Sequence, residues 1–273
     1  MNAGRYSVAL ALAVVLGVAV VALTDVLADT FADSHDRYMQ WQVHDQARPK
    51  PPVVTPGGSG TQHAAGTAPS DAIVLFDGSD LKAFSHQDGE DCQWVIRENA
   101  ALEVTSGVGG DIYTRQAFGD CQLHLEWMAP EDLPDQEGQA RGNSGVFLMG
   151  EYEIQILDCY ENESYADGMA GAVYGQAPAL ANACRPRGQW QTYDIIFRRP
   201  HFDEQGRCVQ PATVTVLHNG VLVQDHTQIL GPTRHHARTA YQAHDDALPI
   251  QIQDHGDKLR LRNIWIRELT PRE

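Results

Sequence analysis

The segment GNSGVFLMGEYEIQILDC, residues 142–159, concentrates the side chains that could do chemistry. Read as a β-strand, it puts Glu151, Glu153 and Gln155 on one side and Tyr152, Ile154 and Ile156 on the other, the core side. Strict alternation sends Asp158 to the side of the isoleucines, where an unpaired carboxylate costs several kcal/mol. A bulge at Ile156-Leu157, or a strand that ends before Asp158, avoids that cost. Two neighbouring carboxylates with an amide between them can do acid and base work if their surroundings split their pKa values. An ordinary strand with one solvated polar face has the same alternation, so this segment by itself assigns no reaction.

Other segments supply complementary groups. Asn143 and Ser144 begin the preceding strand; Gln253, His255 and Arg262 come from the last hairpin; Trp190 and Tyr193 lie in GQWQTYDIIF. Amide, guanidinium, imidazole and indole groups are what a sugar site requires, because hydroxyls take hydrogen bonds in both directions and a pyranose C–H face rests on an aromatic ring. Trp190 reads either as core or as platform, and His255 beside Gly256 either as a turn residue or as a titrating group. His235, His236 and His244 share a polar loop, but their spacing matches no defined metal site, and no metal ligand set is assigned.

The elements that must position these residues are strands. From Asp71 to Leu269 the chain alternates in short runs punctuated by Gly, Pro, Asn and Asp, without long amphipathic helices, the pattern of an all-β antiparallel sandwich. Leu123, Leu125 and Trp127 alternate with Gln122, His124 and Glu126. Asn219-Gly220 accepts positive φ at both turn positions and predicts a hairpin between Thr213–Leu217 and Val221–Gln224. Strands are also expected over Ile250–Asp254 and Leu259–Arg267, around the turn His255-Gly256-Asp257.

Composition narrows the partners. With 36 acidic against 20 basic side chains among 273 residues, the net charge of -16 repels nucleic-acid phosphates and anionic lipid headgroups. Five cysteines without a CxxC pair exclude a zinc ribbon or thioredoxin-like site, and the odd number leaves at least one outside any intramolecular pairing. Arg5, the apolar run Val8–Leu23 and Val26-Leu27-Ala28 follow the order of a secretory signal peptide, so residues 1–28 are expected to be a cleaved signal or an uncleaved membrane anchor through residues 8–23. The protein is then exported, to the periplasm, the cell envelope or the medium, where disulfides are permitted. Residues 29–70, polar and then rich in Pro and Gly, read as a linker, or as a segment lying along the domain surface; within them Trp41-Gln42-Val43-His44-Asp45 is a more structured island.

In this order, the strings IVLFDGSDL, FGDCQLHLEW, GNSGVFLMGEYEIQILD, GQWQTYDIIF, VLHNGVLV and LPIQIQDHGDKLRLRNIWIREL resemble the 3-keto-disaccharide hydrolase domain family over residues 71–269. The resemblance implies a concanavalin-like jelly roll of two antiparallel sheets with the ligand on the concave face. It also implies kinship in fold with laminarinase-type glucanases, whose catalytic strand reads E-x-D-x-x-E. The matching residues here are Glu153, Gln155 and Asp158, so the middle acid is an amide and the last is shortened. That departure disfavours a retaining mechanism, which wants carboxyls roughly 5 to 5.5 Å apart.

A ketone at C3, implied by the family name, acidifies the C2 hydrogen and opens an elimination route that needs a base, an acid and donors to the enolate oxygen. The expected roles are Glu153 or His255 as base, Asp158 as acid, and Asn143, Gln155, Trp190, Gln253 and Arg262 as substrate holders. A sugar oxidoreductase would supply the keto form. No cofactor is expected, although calcium has candidate ligands in Glu131, Asp132 and Asp135, or in Asp245 and Asp246. The competing expectations are a carbohydrate-binding module without turnover and a structural envelope domain.

Overall fold

The computed structural model describes residues 42–132 and 136–269. The expected signal or anchor, Trp41 and Asp135 lie outside them. Residues 42–53 belong to a unit of their own, built of turns such as Asp45 N–H to the Gln42 carbonyl at 3.1 Å. Among the described residues no helix is long and apolar enough to cross a membrane.

The larger unit, Val54–Pro271, is built on strands. In chain order they are β1 (Ile73–Phe76), β2 (Phe84–Ser85), β3 (Val95–Arg97), β4 (Ala101–Glu103), β5 (Ile112–Phe118), β6 (Cys121–Met128), β7 (Ser144–Leu148), β8 (Tyr152–Ile156) and β9 (Gln191–Arg198). There follow β10 (His201–Phe202), β11 (Cys208–Gln210), β12 (Thr213–His218), β13 (Val221–Gln228), β14 (Thr233–Arg234), β15 (Ala237–Arg238), β16 (Leu248–Ile252) and β17 (Arg260–Glu268). A long antiparallel sheet runs β13-β12-β9-β6-β17-β4-β3, with β1 also paired to β17, and a five-stranded sheet runs β2-β5-β16-β7-β8.

Alternation explains the packing. Leu123, Leu125 and Trp127 of β6 and Ile195 and Phe197 of β9 point inward from the long sheet, and Ile154, Ile156, Val146, Ile250 and Ile252 point inward from the other; all belong to one buried cluster. Tyr152 of β8 meets Phe197 of β9 across that core at 5.8 Å between ring centroids. The all-β sandwich read from the sequence is therefore the architecture. The β12–β13 hairpin pairs His218 with Val221 around Asn219 and Gly220, whose φ of 53° and 78° are what the Asn-Gly pair allows at low cost.

Two expectations need correction. β16 and β17 do not form a hairpin: β16 pairs with β5 and β7, whereas β17 pairs with β6, β1 and β4, so residues 253–259 carry the chain from one sheet to the other. Residues 54–70, read foremost as the end of a linker, fold onto the outer face of the long sheet, as the second reading of that segment had it. Their own hydrogen bonds, Ser70 N–H to the Thr55 carbonyl at 3.0 Å and Thr67 N–H to the Gly58 carbonyl at 2.8 Å, close them into a strap. Gly66 N–H donates to Glu126 at 2.8 Å, and Gln62 exchanges hydrogen bonds with the Trp190 backbone at 2.6 and 2.9 Å.

Candidate functional site

The outer face of the five-stranded sheet carries a cleft of about 330 Å³. Phe147 of β7 and Glu153 and Gln155 of β8 share the outward parity and form its floor; Gln139, Asn143, Tyr174, Thr233, Arg234, His235, Gln253 and His255 complete the lining. The open edge of β8 is covered by residues 171–174, through Gln155 N–H to the Ala172 carbonyl at 3.0 Å and Tyr174 N–H to the Glu153 carbonyl at 3.2 Å. This pairing sets Tyr174 beside Glu153. The short hairpin of β14 and β15 is anchored at the start of β8, where Glu153 N–H donates to the Thr233 hydroxyl at 3.0 Å and Thr233 N–H to the Glu151 carbonyl at 2.9 Å.

Glu153 is the electrostatic centre of the cleft. Its side chain lies over Gly145 of β7, where any Cβ would stand 2.4 Å from Glu153 Oε1, so the glycine makes room for the carboxyl. Burial, with a smaller contribution from the charge of Asp111, pushes its pKa from 4.5 up to about 8. Asp111 is itself held by Gln251 Nε2 at 2.5 Å and by the Asp254 N–H at 2.7 Å. Beside Glu153, Gln155 donates through Nε2 to Asn143 Oδ1 at 3.0 Å, while its buried Oε1 has no protein partner. Asn143 Nδ2 donates to the Gln139 carbonyl at 2.7 Å. An amide relay is thus fixed at the floor with one acceptor left to a ligand.

The opposite wall is aromatic and basic. The Tyr174 hydroxyl lies 2.9 Å from His235 Nδ1 and 3.0 Å from the Tyr165 hydroxyl, and the Tyr174 and His235 rings are near parallel. A second cavity of about 490 Å³, lined by Tyr165, Asp167 and His236, shares Tyr174 and Arg234 with the cleft, so the two are contiguous. Arg234 is tied to Glu151 at 2.6 Å, which keeps Glu151 occupied on the rim.

Of the residues singled out from the sequence, Glu153, Gln155, Asn143, Gln253 and His255 meet in this cleft, His255 exposed at its mouth. Asp158, Trp190 and Arg262 do not line it. β8 ends at Ile156, and the buried Asp158 turns to Arg141 at 2.7 Å, with Arg187 at 3.4 Å; it is an ion-pair partner rather than the acid expected for the reaction. Arg262 lies on the outer face of the long sheet, fully buried against Glu126 at 2.6 Å and roofed by the Thr61 carbonyl at 2.5 Å. Trp190 packs beneath it, with the guanidinium 4.0 Å above the indole. Neither can touch a ligand bound between β7, β8 and the β14–β15 hairpin.

The sequence reading missed Gln139, Phe147, Tyr174, Thr233 and Arg234 and gave His235 no role in a sugar site. Phe147 was available from the parity of β7; His235, His236 and His244 stood out as sharing a polar loop, but nothing local ties that loop to β8. Among the described residues no group of three or more His, Cys, Asp or Glu side chains converges as a metal site, and Asp246 is paired with Arg199 at 2.6 Å.

Comparison with known proteins places this geometry. No functionally curated protein matches the chain. A crystal structure from Parabacteroides distasonis ATCC 8503, described as a "putative glycosyl hydrolase", is 45% identical with a TM-score of 0.78, covering 83% of this chain and 97% of that one. Two further structures of the same description and organism share the fold at 17% and 20% identity, with TM-scores of 0.52 and 0.50; they cover 73% and 72% of this chain and 94% and 99% of their own. The model of the 3-keto-alpha-glucoside-1,2-lyase-like domain matches residues 71–267, nearly the whole sandwich, and the chain belongs to that family.

Proposed function

We propose that this protein is a carbohydrate-active enzyme that cleaves the glycosidic bond of 3-keto glucosides by elimination followed by hydration. The observation that carries the reading is Glu153, a buried carboxyl at the floor of a polar cleft, with no hydrogen-bond partner for its oxygens among the described residues and with its pKa pushed by burial up to about 8. A protonated carboxyl donates to a leaving oxygen, so Glu153 is the acid. His255, exposed at the mouth, is the base. It removes the C2 proton, electrons move into the C1–C2 bond, and the C1–O bond breaks as Glu153 protonates the departing oxygen. Water then adds at C1 and a proton returns to C2, restoring the 3-keto sugar.

The remaining groups suit the same path. With Tyr174 donating to His235 Nδ1, the imidazole carries its proton on Nε2 and offers it to the developing enolate oxygen. Gln155 Oε1 and the Gln253 amide hold sugar hydroxyls, and the contiguous cavity beside Tyr165 receives the leaving group. We further propose that the chain is exported through residues 1–28 and that a sugar oxidoreductase supplies the ketone.

The test is incubation with a 3-keto glucoside in deuterated water. Cleavage with deuterium at C2 of the released sugar is expected, and Glu153→Gln and His255→Ala should each lose at least about a hundredfold in rate. Near-normal rates in both variants would overturn the assignment. Cleavage without deuterium would replace elimination with direct displacement, and recovery of both native and keto sugars unchanged would make the domain a binding module.

A further inference from the structure

All five cysteines are thiols here, and two of them meet. Cys159 follows β8 by three residues, and Cys184 lies near the far end of the same long loop, seven residues before β9. The Asn182 side chain clamps their backbones: its Nδ2 donates to the Cys159 carbonyl at 2.8 Å, and its Oδ1 accepts from the Cys184 N–H at 3.1 Å. The sulfurs converge in the same place. Cys184 Sγ donates to the Leu157 carbonyl at 3.7 Å, two residues before Cys159, and the Cys159 sulfur accepts the Ala170 N–H at 3.1 Å. Cys92, Cys121 and Cys208 stand on other elements.

We infer that Cys159 and Cys184 close into a disulfide that fastens the loop between them. That loop contains Tyr165, Asp167 and Tyr174, which line the cleft and its contiguous cavity, so the bond would fix one wall of the site. The two cysteines have distinct parts to play. Cys184 is partly exposed and can exchange with the disulfide of an incoming oxidant, a small-molecule or protein disulfide, releasing one oxidant thiol and leaving a mixed disulfide. Cys159 is buried and takes the second step, its proton passing to the departing thiolate. It attacks the Cys184 sulfur and expels the second oxidant thiol. Two electrons and two protons pass to the oxidant, which leaves as two thiols. None of these steps depends on the identity of the substrate.

The full chain, equilibrated in oxidised and reduced glutathione, denatured and alkylated, tests this by intact mass and peptide mapping. Three alkylated cysteines are expected without reduction and five after it, together with a cross-linked peptide joining Cys159 to Cys184. Five alkylated cysteines under the most oxidising buffer, or a cross-link at another pair, would overturn the inference. Reduction of the native protein should lower its melting temperature by about 5 °C or more, as for a disulfide closing a loop of this size. Cys184→Ser should be insensitive to reductant. A cross-link that forms without moving the midpoint would overturn the claim that it fastens the loop.

Discussion

Replacing Glu153 by Gln should abolish cleavage and at the same time stabilise the fold at alkaline pH. The carboxyl has a pKa near 4.5 when unfolded and about 8 when folded. The folded state therefore binds more protons between those values. Stability linked to this group is fully present below pH 4.5 and is lost as pH rises through 8. At about 1.4 kcal/mol per decade the full penalty is about 5 kcal/mol, an upper bound because water entering the cleft solvates the ion. If about 3 kcal/mol is realised, a domain of this size shifts its midpoint by about 6 to 12 °C. Gln fills the same space and never ionises. Thermal scans from pH 5 to pH 9 should accordingly give curves that lie closest at pH 5, separate progressively up to about pH 8 and run parallel above it, with Glu153→Gln the more stable. The wild-type cleavage rate should fall as pH rises through 8, since the acid loses its proton. Coincident melting curves at pH 9 would refute the raised pKa, and a rate that climbs through pH 8 would make Glu153 the base.

Three other substitutions separate the site from its scaffold. Gly145→Ala forces the Glu153 carboxyl from its place and should cut kcat by about tenfold or more with little change in melting temperature, since a flexible side chain yields before the backbone does. Asp158→Asn should destabilise the fold by about 3 kcal/mol, because it leaves Arg141 without its buried partner, while kcat/KM stays within about fivefold of wild type. Arg262→Ala strands the buried Glu126 and should cost about 3 to 5 kcal/mol by denaturant titration, with KM for the keto sugar unchanged; a raised KM would return Arg262 to the site. A chelator should leave the melting midpoint where it is, and a fall would reveal a structural cation.

The parts of this molecule legible in its sequence are those decided by neighbours along the chain. The parity of Tyr152, Ile154 and Ile156 against Glu153 and Gln155 is set by the two-residue repeat of a strand, and the turn at Asn219-Gly220 by the φ values these residues tolerate. What a local pattern does not carry is which sheet a strand joins. His255 and Arg262 are seven residues apart and look like two sides of one hairpin, yet the chain between them crosses from sheet to sheet, and they end on opposite faces of the sandwich.

The strap misled for a different reason. Gly60 and Gly66 in a Pro/Gly-rich run read as flexibility, but a Cβ at Gly60 would stand 2.3 Å from Glu126 Oε1, and one at Gly66 2.6 Å from Asn263 Nδ2. These glycines allow the backbone to lie against a buried charge pair and supply it with the Thr61 carbonyl and the Gly66 N–H. Glu126 and Arg262, which alternation assigns to a solvated face, are consequently the most buried charges of the long sheet. Asp158 follows the same logic at smaller scale. A carboxylate that parity directs toward the core is tolerated only beside a cation, and Arg141 neutralises it away from the cleft. Glu153 forms no ion pair among the described residues, Arg234 of the same cleft being held by Glu151, and burial raises its pKa. The difference between these two acids, five residues apart, is what makes one of them scaffold and leaves the other able to give up a proton.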